Sequence, residues 1–349
     1  MEKHVLSGIP DPFPIRKISG KKKHMNRNNQ DRLGNANASS RRIILRSLLS
    51  WLVIIAIFLV IFSQIRMVDV LAVLKQTEAK WVCIAILFSL SAHLFFSSLR
   101  YQNTLAMMGY KLSFYEAVII RMGCNAIKGV LPFKMGELTI LAYMKRKHDL
   151  SYSLGIFSLL FGFCLSLMAL VLYCSFGGIF YFQRLSVIMI FALISGLLVF
   201  FISFWGLQKI PGLLTAFLAR FQKLPAESIG VQEPMKAQGI KRIFFHSLVI
   251  EGSKLLIIFT VLKSFHVEIP FAALLFLGSA AIIAAYLPIT HWSLGIRESA
   301  VLFLFSGYAT PEKLLAGGLL ITLIDGLLPA ILGLFFIKPF LNVLWERKK

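Results

Sequence analysis

Residues 114–148 read FYEAVIIRMGCNAIKGVLPFKMGELTILAYMKRKH, and this stretch decides the fold. It is apolar at intervals yet carries Arg121, Lys128, Lys134 and Glu137, with Leu131-Pro132 in its middle. Proline removes a helical hydrogen bond and disfavours helix in the residue before it. The stretch is therefore a poor continuous span and predicts two half-helices meeting near Pro132. A re-entrant hairpin fits it, because irregular backbone at membrane depth is tolerated where it is buried in protein or lines a wet cavity. The pattern returns in residues 269–308, where an apolar half runs into Leu287-Pro288, a short polar turn, and a second half with Arg297 and Glu298. Pro132 precedes Glu137 by five positions and Pro288 precedes Glu298 by ten, a difference that reads as an insertion at the tip. Counting twenty-seven residues on from Glu137 reaches Cys164, and the same count from Glu298 reaches Asp325. Two copies of one unit are predicted, at about 114–175 and 269–337.

Outward from these units the chain is apolar in long blocks. Of its 349 residues 57% are apolar and 15% charged, with a mean hydropathy of +0.76, against roughly 45–50% and about 25% in soluble domains. The bilayer is the solvent. Residues 47–65, 81–99, 150–183, 185–208 and 269–296 are uncharged apart from their edges, and each has room for a span of about 20 residues. Residues 243–265, with Glu251 and Lys254, and 314–337, with Asp325, are further spans. The predicted fold is all-α, a polytopic membrane helical bundle of about six full spans plus two re-entrant broken-helix hairpins. Three passes separate the hairpins, so the first enters from the cytoplasm and the second from outside. Such an inverted repeat is the architecture of alternating-access transporters. Residues 1–46 read as a disordered basic cytoplasmic tail, 47–340 as a single transmembrane domain, and 341–349 as a second basic tail.

The net charge of +21 invites a nucleic-acid reading. Most of the basic residues, however, sit between or outside the spans. With the amino terminus placed inside, twenty-six Lys and Arg fall on the cytoplasmic side, Arg100 and Lys111 among them, and six on the other. That asymmetry is the positive-inside signature. It predicts a multi-pass protein of the cell membrane with both termini cytoplasmic and no nucleic-acid partner. Leu213, Leu214, Phe217, Leu218, Phe221 and Leu224 recur at helical spacing within a basic loop, as an interfacial helix would.

The chemistry resides in the charges at membrane depth. Arg121, Asn125 and Lys128 are spaced i, i+4, i+7 and share one helix face. Lys134 sits at the hairpin tip, and Glu137 opens the next half-helix, where the dipole favours its charge. Buried charges are costly unless paired or hydrated, so these residues either line a pathway or lock the half-helices together. Arg297 and Glu298 project about 100° apart on a helix and reach different partners, with Tyr286, His291 and Trp292 around the Pro288 break. Glu251 and Lys254, at i and i+3, read as a structural pair. Asp325 has no adjacent base, and a functional role and a partnership with Arg297 both stay open. Three or four cations against one carboxylate in the first unit suit a phosphate-bearing group. Cys83, Cys124, Cys164 and Cys174 lie in apolar surroundings without metal-ligand spacing and read as small core hydrophobes. There is no His and Cys cluster with zinc spacing, no Gly-rich phosphate loop and no acidic pair with metal-binding spacing. No enzyme activity, cofactor or metal is expected.

Asn125, Leu131-Pro132, Gly136-Glu137, Leu287-Pro288 and Gly295-Ile296-Arg297-Glu298 together resemble the lysylphosphatidylglycerol synthase transmembrane region, a flippase-like family, over about residues 45–340. The family includes the membrane half of the multiple peptide resistance factor, associated with moving aminoacylated phospholipid between leaflets, and free-standing members linked to hopanoid or other lipid handling. The resemblance implies lipid translocation. Two departures stand out: Ile140 where members often carry Arg, and His291-Trp292-Ser293 in place of a Gly-rich stretch. No aminoacyl-transferase half follows the span at 314–337, so synthesis of lysyl-lipid is not expected, and a basic first unit suits an anionic lipid better than a lysyl head group. The leading expectation is a flippase or transporter of a phosphate-bearing lipid, phospholipid or polyprenyl-type. The alternatives are an accessory membrane subunit of a lipid-modifying enzyme and a transferase using Glu137 or Glu298 as general base. Expected partners are membrane lipids with an anionic head group, with a lipid-modifying enzyme or a second copy of the chain as further candidates.

Overall fold

The computed structural model describes residues 52, 54–63, 65–128, 135–182, 237–287, 290 and 293–345. Among these the secondary structure is helical, with no strand. Two short helices, α1 (Ile54–Ser63) and α2 (Met67–Lys75), meet at a bend of 88°. Then come α3 (Ala79–Met107), α4 (Phe114–Lys128), α5 (Leu138–His148), α6 (Tyr152–Tyr181) and α7 (Ala237–Ser264). The chain closes with α8 (Phe271–Ala285), α9 (Ile296–Leu304) and α10 (Pro311–Trp345).

Four of these, α3, α6, α7 and α10, are long and apolar enough to cross a membrane. At about 1.5 Å per residue each exceeds a hydrocarbon core of about 30 Å. Their outward faces carry exposed Leu87, Leu160, Phe180, Phe245 and Phe335, an apolar belt that water would penalise and lipid would not. The protein is an integral membrane protein. The spans expected at 186–206, the interfacial helix at 213–224, the tail 1–46, and Pro132, Lys134 and Pro288 lie outside the described residues. At the carboxyl end α10 continues to Trp345, into the segment expected as a tail, because Leu341, Val343 and Leu344 pack onto a buried cluster.

The frame of four long helices holds two separate cores. One gathers Tyr101 and Leu105 of α3, Leu154 and Phe161 of α6, Ile240 and Ile243 of α7, and Phe340 of α10, with α4 and α5. The other gathers Ala85, Leu170, Val261 and Leu315 from the same four helices, with α8 and α9. Since each long helix contributes to both, the α4–α5 pair and the α8–α9 pair sit at opposite ends of the frame. The chain leaves the described part with Phe182, which meets Phe276 of α8, and returns at Ala237, one turn before Ile240 of the core shared with α4 and α5.

Neither half of the first pair spans a membrane alone: α4 has 15 residues and α5 has 11, roughly 22 Å and 16 Å long. They fold back on each other, and the ion pairs at both ends mark the hairpin. At the open end Glu116 of α4 meets Lys147 at 2.9 Å and His148 at 2.8 Å on α5. At the tip Lys128 meets Glu137 at 2.7 Å, and Gly136 lets the chain pass so close that a Cβ there would lie 2.7 Å from the Lys128 backbone nitrogen. Burial works to raise the Glu116 carboxyl, but the bonds from His148 and Lys147 outweigh it, and it titrates below its ordinary 4.5. A depressed carboxyl contributes stability that is fully present above 4.5 and lost as pH falls through the folded value. Acidification below roughly pH 4.5 is thus expected to lower the melting temperature of the detergent-solubilised protein, and Glu116→Gln to flatten that acid limb.

Helix α10 crosses α4 at glycines on both sides. A Cβ on Gly123 would lie 2.7 Å from Phe340, and one on Gly333 would run into the backbone carbonyl of Met122 and lie 2.9 Å from the Ala126 amide nitrogen. Backbone cannot yield as a flexible side chain does. Gly333→Ala should therefore push α10 off the hairpin and cost about 1–3 kcal/mol, the range for overpacking, read as a drop in melting temperature despite alanine's better helix propensity.

Candidate functional site

A cavity of about 510 Å³ lies between the two hairpins, walled by the long helices. The first hairpin contributes Arg121, Asn125, Lys128 and Glu137, and the second contributes Tyr286, Ser293 and Arg297. From the frame come His93, Ser97 and Arg100 on α3, Ser166 on α6, Lys254 on α7 and Asp325 on α10. Leu159, Phe163, Ile250, Ile258 and Ile282 complete an apolar wall. A volume of this order suits one small ligand or one head group. Most of the residues singled out in the sequence thus meet at one place although they lie up to about 200 positions apart.

Local backbone irregularity brings them there. Helix α3 contains a π turn at Ser91–Phe96 and α10 contains another at Leu323–Leu327. A π turn adds a residue to one turn, so the side chains beyond it are rotated relative to a regular helix. The two turns face each other: Ser89 Oγ donates to the Ile324 carbonyl at 2.7 Å, and His93 Nε2 lies 3.0 Å from Asp325 Oδ1. Asp325 Oδ2 pairs with Arg297 Nη2 at 3.2 Å. Of the two roles left open for Asp325, the partnership with Arg297 is present, and the pair lies on the cavity wall.

Glu251 and Lys254 pair at 3.1 Å as their spacing predicted. Tyr286 completes a triangle: its hydroxyl donates to Glu251 at 2.7 Å and accepts from Lys254 at 2.7 Å. The pair is therefore tied to the start of the turn between α8 and α9, and Lys254 reaches the cavity, beyond the structural role expected from sequence.

Glu298 is placed differently. It is fully buried and lies outside the cavity lining. Its Oε2 accepts from the Gly295 backbone nitrogen at 2.6 Å, and its Oε1 accepts from Thr322 Oγ1 at 2.7 Å. Gly295 has φ +82°, a conformation that favours glycine. Gly295-x-x-Glu298 is thus the N-terminal cap of α9, with the carboxylate three residues in satisfying an otherwise orphaned donor.

Arg100 lies within a helix of the frame. The apolar block ends at Leu99, which put this arginine in a cytoplasmic loop, but α3 runs on to Met107. No helix breaker precedes Gly109, whose φ of +87° provides the stop. Arg100 therefore stays helical and turns into the cavity, where Nη1 donates to Ser166 Oγ at 2.7 Å and Ser247 Oγ at 3.3 Å. The missed signal was Ser97-x-x-Arg100-x-x-x-Thr104, a polar face spaced i, i+3, i+7.

The family model described as the lysylphosphatidylglycerol synthase TM region matches residues 43–333. The chain belongs to that family. Comparison with curated proteins gave no match. All the cavity residues named above fall within the matched range, so the site is part of this family's membrane region. The family description accords with the helical, membrane-spanning frame and with a relation to lipid handling.

Proposed function

We propose that the chain moves a phosphate-bearing lipid, phospholipid or polyprenyl-type, between the leaflets of the cell membrane, without converting it chemically. The observation that carries this reading is a cavity lined by charged side chains of both hairpins, set between two cores at opposite ends of one helical frame. A head group needs a polar seat at membrane depth, while its acyl chains stay in lipid beside the apolar outer faces. In this reading the hairpins are re-entrant, related as an inverted repeat, and each gates one side of the seat. Six full spans and cytoplasmic termini complete it. The Lys128–Glu137 bridge at the first hairpin's tip and the Arg297–Asp325 bridge beside the second are the contacts that a gating motion would break and remake.

The test uses the full chain reconstituted in vesicles with a panel of fluorescent lipids, neutral, anionic and aminoacylated, scored for leaflet exchange and for chemical conversion. Exchange of anionic lipid without conversion is expected, with a fall of tenfold or more in Arg121→Gln/Lys128→Gln, roughly the loss of one charge-assisted contact. Conversion of a lipid would favour the transferase alternative. Unchanged exchange of every anionic lipid in the double variant would overturn the assignment of the cavity.

A further inference from the structure

Five cationic side chains line the cavity, and they fall into two classes. Lys128 has Glu137 at 2.7 Å, Lys254 has Glu251 at 3.1 Å, and Arg297 has Asp325 at 3.2 Å. Each of these charges is balanced. Arg100 and Arg121 have only hydroxyl partners among the described residues: Ser166 and Ser247 for the first, and Ser97, at 2.9 Å from Nε, for the second. Neither guanidinium makes an ion pair with a carboxylate among the described residues.

The two arginines are also held side by side. Ser97 and Arg100 lie one turn apart on the same face of α3, so the Ser97 hydroxyl that accepts from Arg121 Nε anchors that guanidinium next to Arg100. Both side chains line the same cavity. Guanidinium does not give up its proton at any ordinary pH, so both groups keep their charge. Among the described residues Arg121 is hydrogen-bonded through Nε alone, which leaves its terminal fork for a ligand. Opposite Arg100, α6 presents Gly162, whose added Cβ would stand 4.0 Å from the guanidinium carbon. No side chain from that position covers the planar face.

We infer that Arg100 and Arg121 form the phosphate seat of the cavity and that it selects a phosphate monoester, a head group with two negative charges, over a singly charged phosphodiester. This deepens the lipid-transport reading and rests on it for the source of the phosphate. Two guanidinium groups bonded to hydroxyls and to no carboxylate among the described residues are matched by a dianion, and paired guanidinium forks suit the terminal oxygens of a monoester. A diester has two of its four oxygens occupied by ester links and balances one charge.

The experiment uses the full chain in nanodiscs of zwitterionic phosphatidylcholine at pH 8, where a phosphate monoester is dianionic. Tail-labelled phosphatidic acid, tail-labelled phosphatidylglycerol and soluble glycerol 3-phosphate are titrated. Phosphatidic acid is expected to bind at least tenfold more tightly than phosphatidylglycerol, with Arg100→Gln and Arg121→Gln each lowering its affinity roughly ten- to a hundredfold and shrinking the preference. Gly162→Leu keeps both charges, covers the Arg100 face, and should produce the same loss in a protein with unimpaired melting. Equal binding of monoester and diester, or a preference unaltered in both arginine variants, overturns the dianion assignment. Leaflet exchange of phosphatidylglycerol would in that case still support the transport reading. Glycerol 3-phosphate binding as tightly as phosphatidic acid would keep the arginine seat and overturn its lipid source.

Discussion

Asp325→Asn is expected to abolish leaflet exchange and to destabilise the protein by about 3–5 kcal/mol, the cost of removing one partner from a buried ion pair. The side chains of Arg297 and Asp325 are 16% and 10% exposed, so water offers Arg297 little substitute for the lost carboxylate. Its hydrogen bond to the Ile321 carbonyl is long at 3.5 Å. His93 loses less, since an asparagine carbonyl still accepts from Nε2. Replacing both members, as Arg297→Met/Asp325→Leu, removes the stranded charge. Apolar replacements of buried pairs are often neutral or stabilising, so the double variant should melt near the parent. Stability and transport then separate. A double variant that melts and exchanges like the parent would mean that the bridge only locks α9 to α10, whereas normal melting without exchange assigns the bridge to the pathway. Detergent melting and vesicle exchange on the same preparations decide it.

How much of this was legible follows from which signals are local. The hairpin α4–α5 could be read because proline and four charges interrupt an apolar run, and the ion pair from Lys128 to Glu137 closes over that interruption. Arg297 and Asp325 could be read as costly charges, although their meeting depends on α9 packing against α10 after a turn. Arg100 was lost because a basic residue at the edge of an apolar block counts as a loop charge in the positive-inside rule. The helix ends where backbone chemistry ends it, at Gly109. The facing π turns that bring His93 to Asp325 were not legible, because one extra residue in a turn leaves hydrophobic periodicity almost intact. Tyr286 was seen as a neighbour of the break, but its bond to Glu251 spans 35 positions and depends on tertiary packing.

Glu298 is the position where two readings of one carboxylate predict opposite results. As a pathway charge it would be intolerant of Gln, which keeps shape and loses charge. As the cap seen here, it serves through its oxygens. In Glu298→Gln the amide oxygen still accepts from the Gly295 nitrogen, and the amide nitrogen can donate to the Thr322 hydroxyl, which reverses its role. A loss of about 1 kcal/mol is expected, the difference between a charge-assisted and a neutral hydrogen bond. Glu298→Ala leaves the Gly295 amide and Thr322 hydroxyl buried without partners, at about 1–3 kcal/mol each, and removes packing beside Gly318, where a Cβ would already lie 3.0 Å from the Glu298 Cα. That change should unseat the start of α9 and carry Arg297 away from Asp325. The expected order is parent, then Gln slightly below it in both melting and exchange, then Ala far below in both. Abolished exchange in Glu298→Gln with melting intact would break that order and make Glu298 a transport residue despite its burial. The cap thus links a glycine with positive φ to the cavity charge: the backbone shape at Gly295 fixes Glu298, Glu298 fixes the first turn of α9, and that turn sets Arg297 against Asp325.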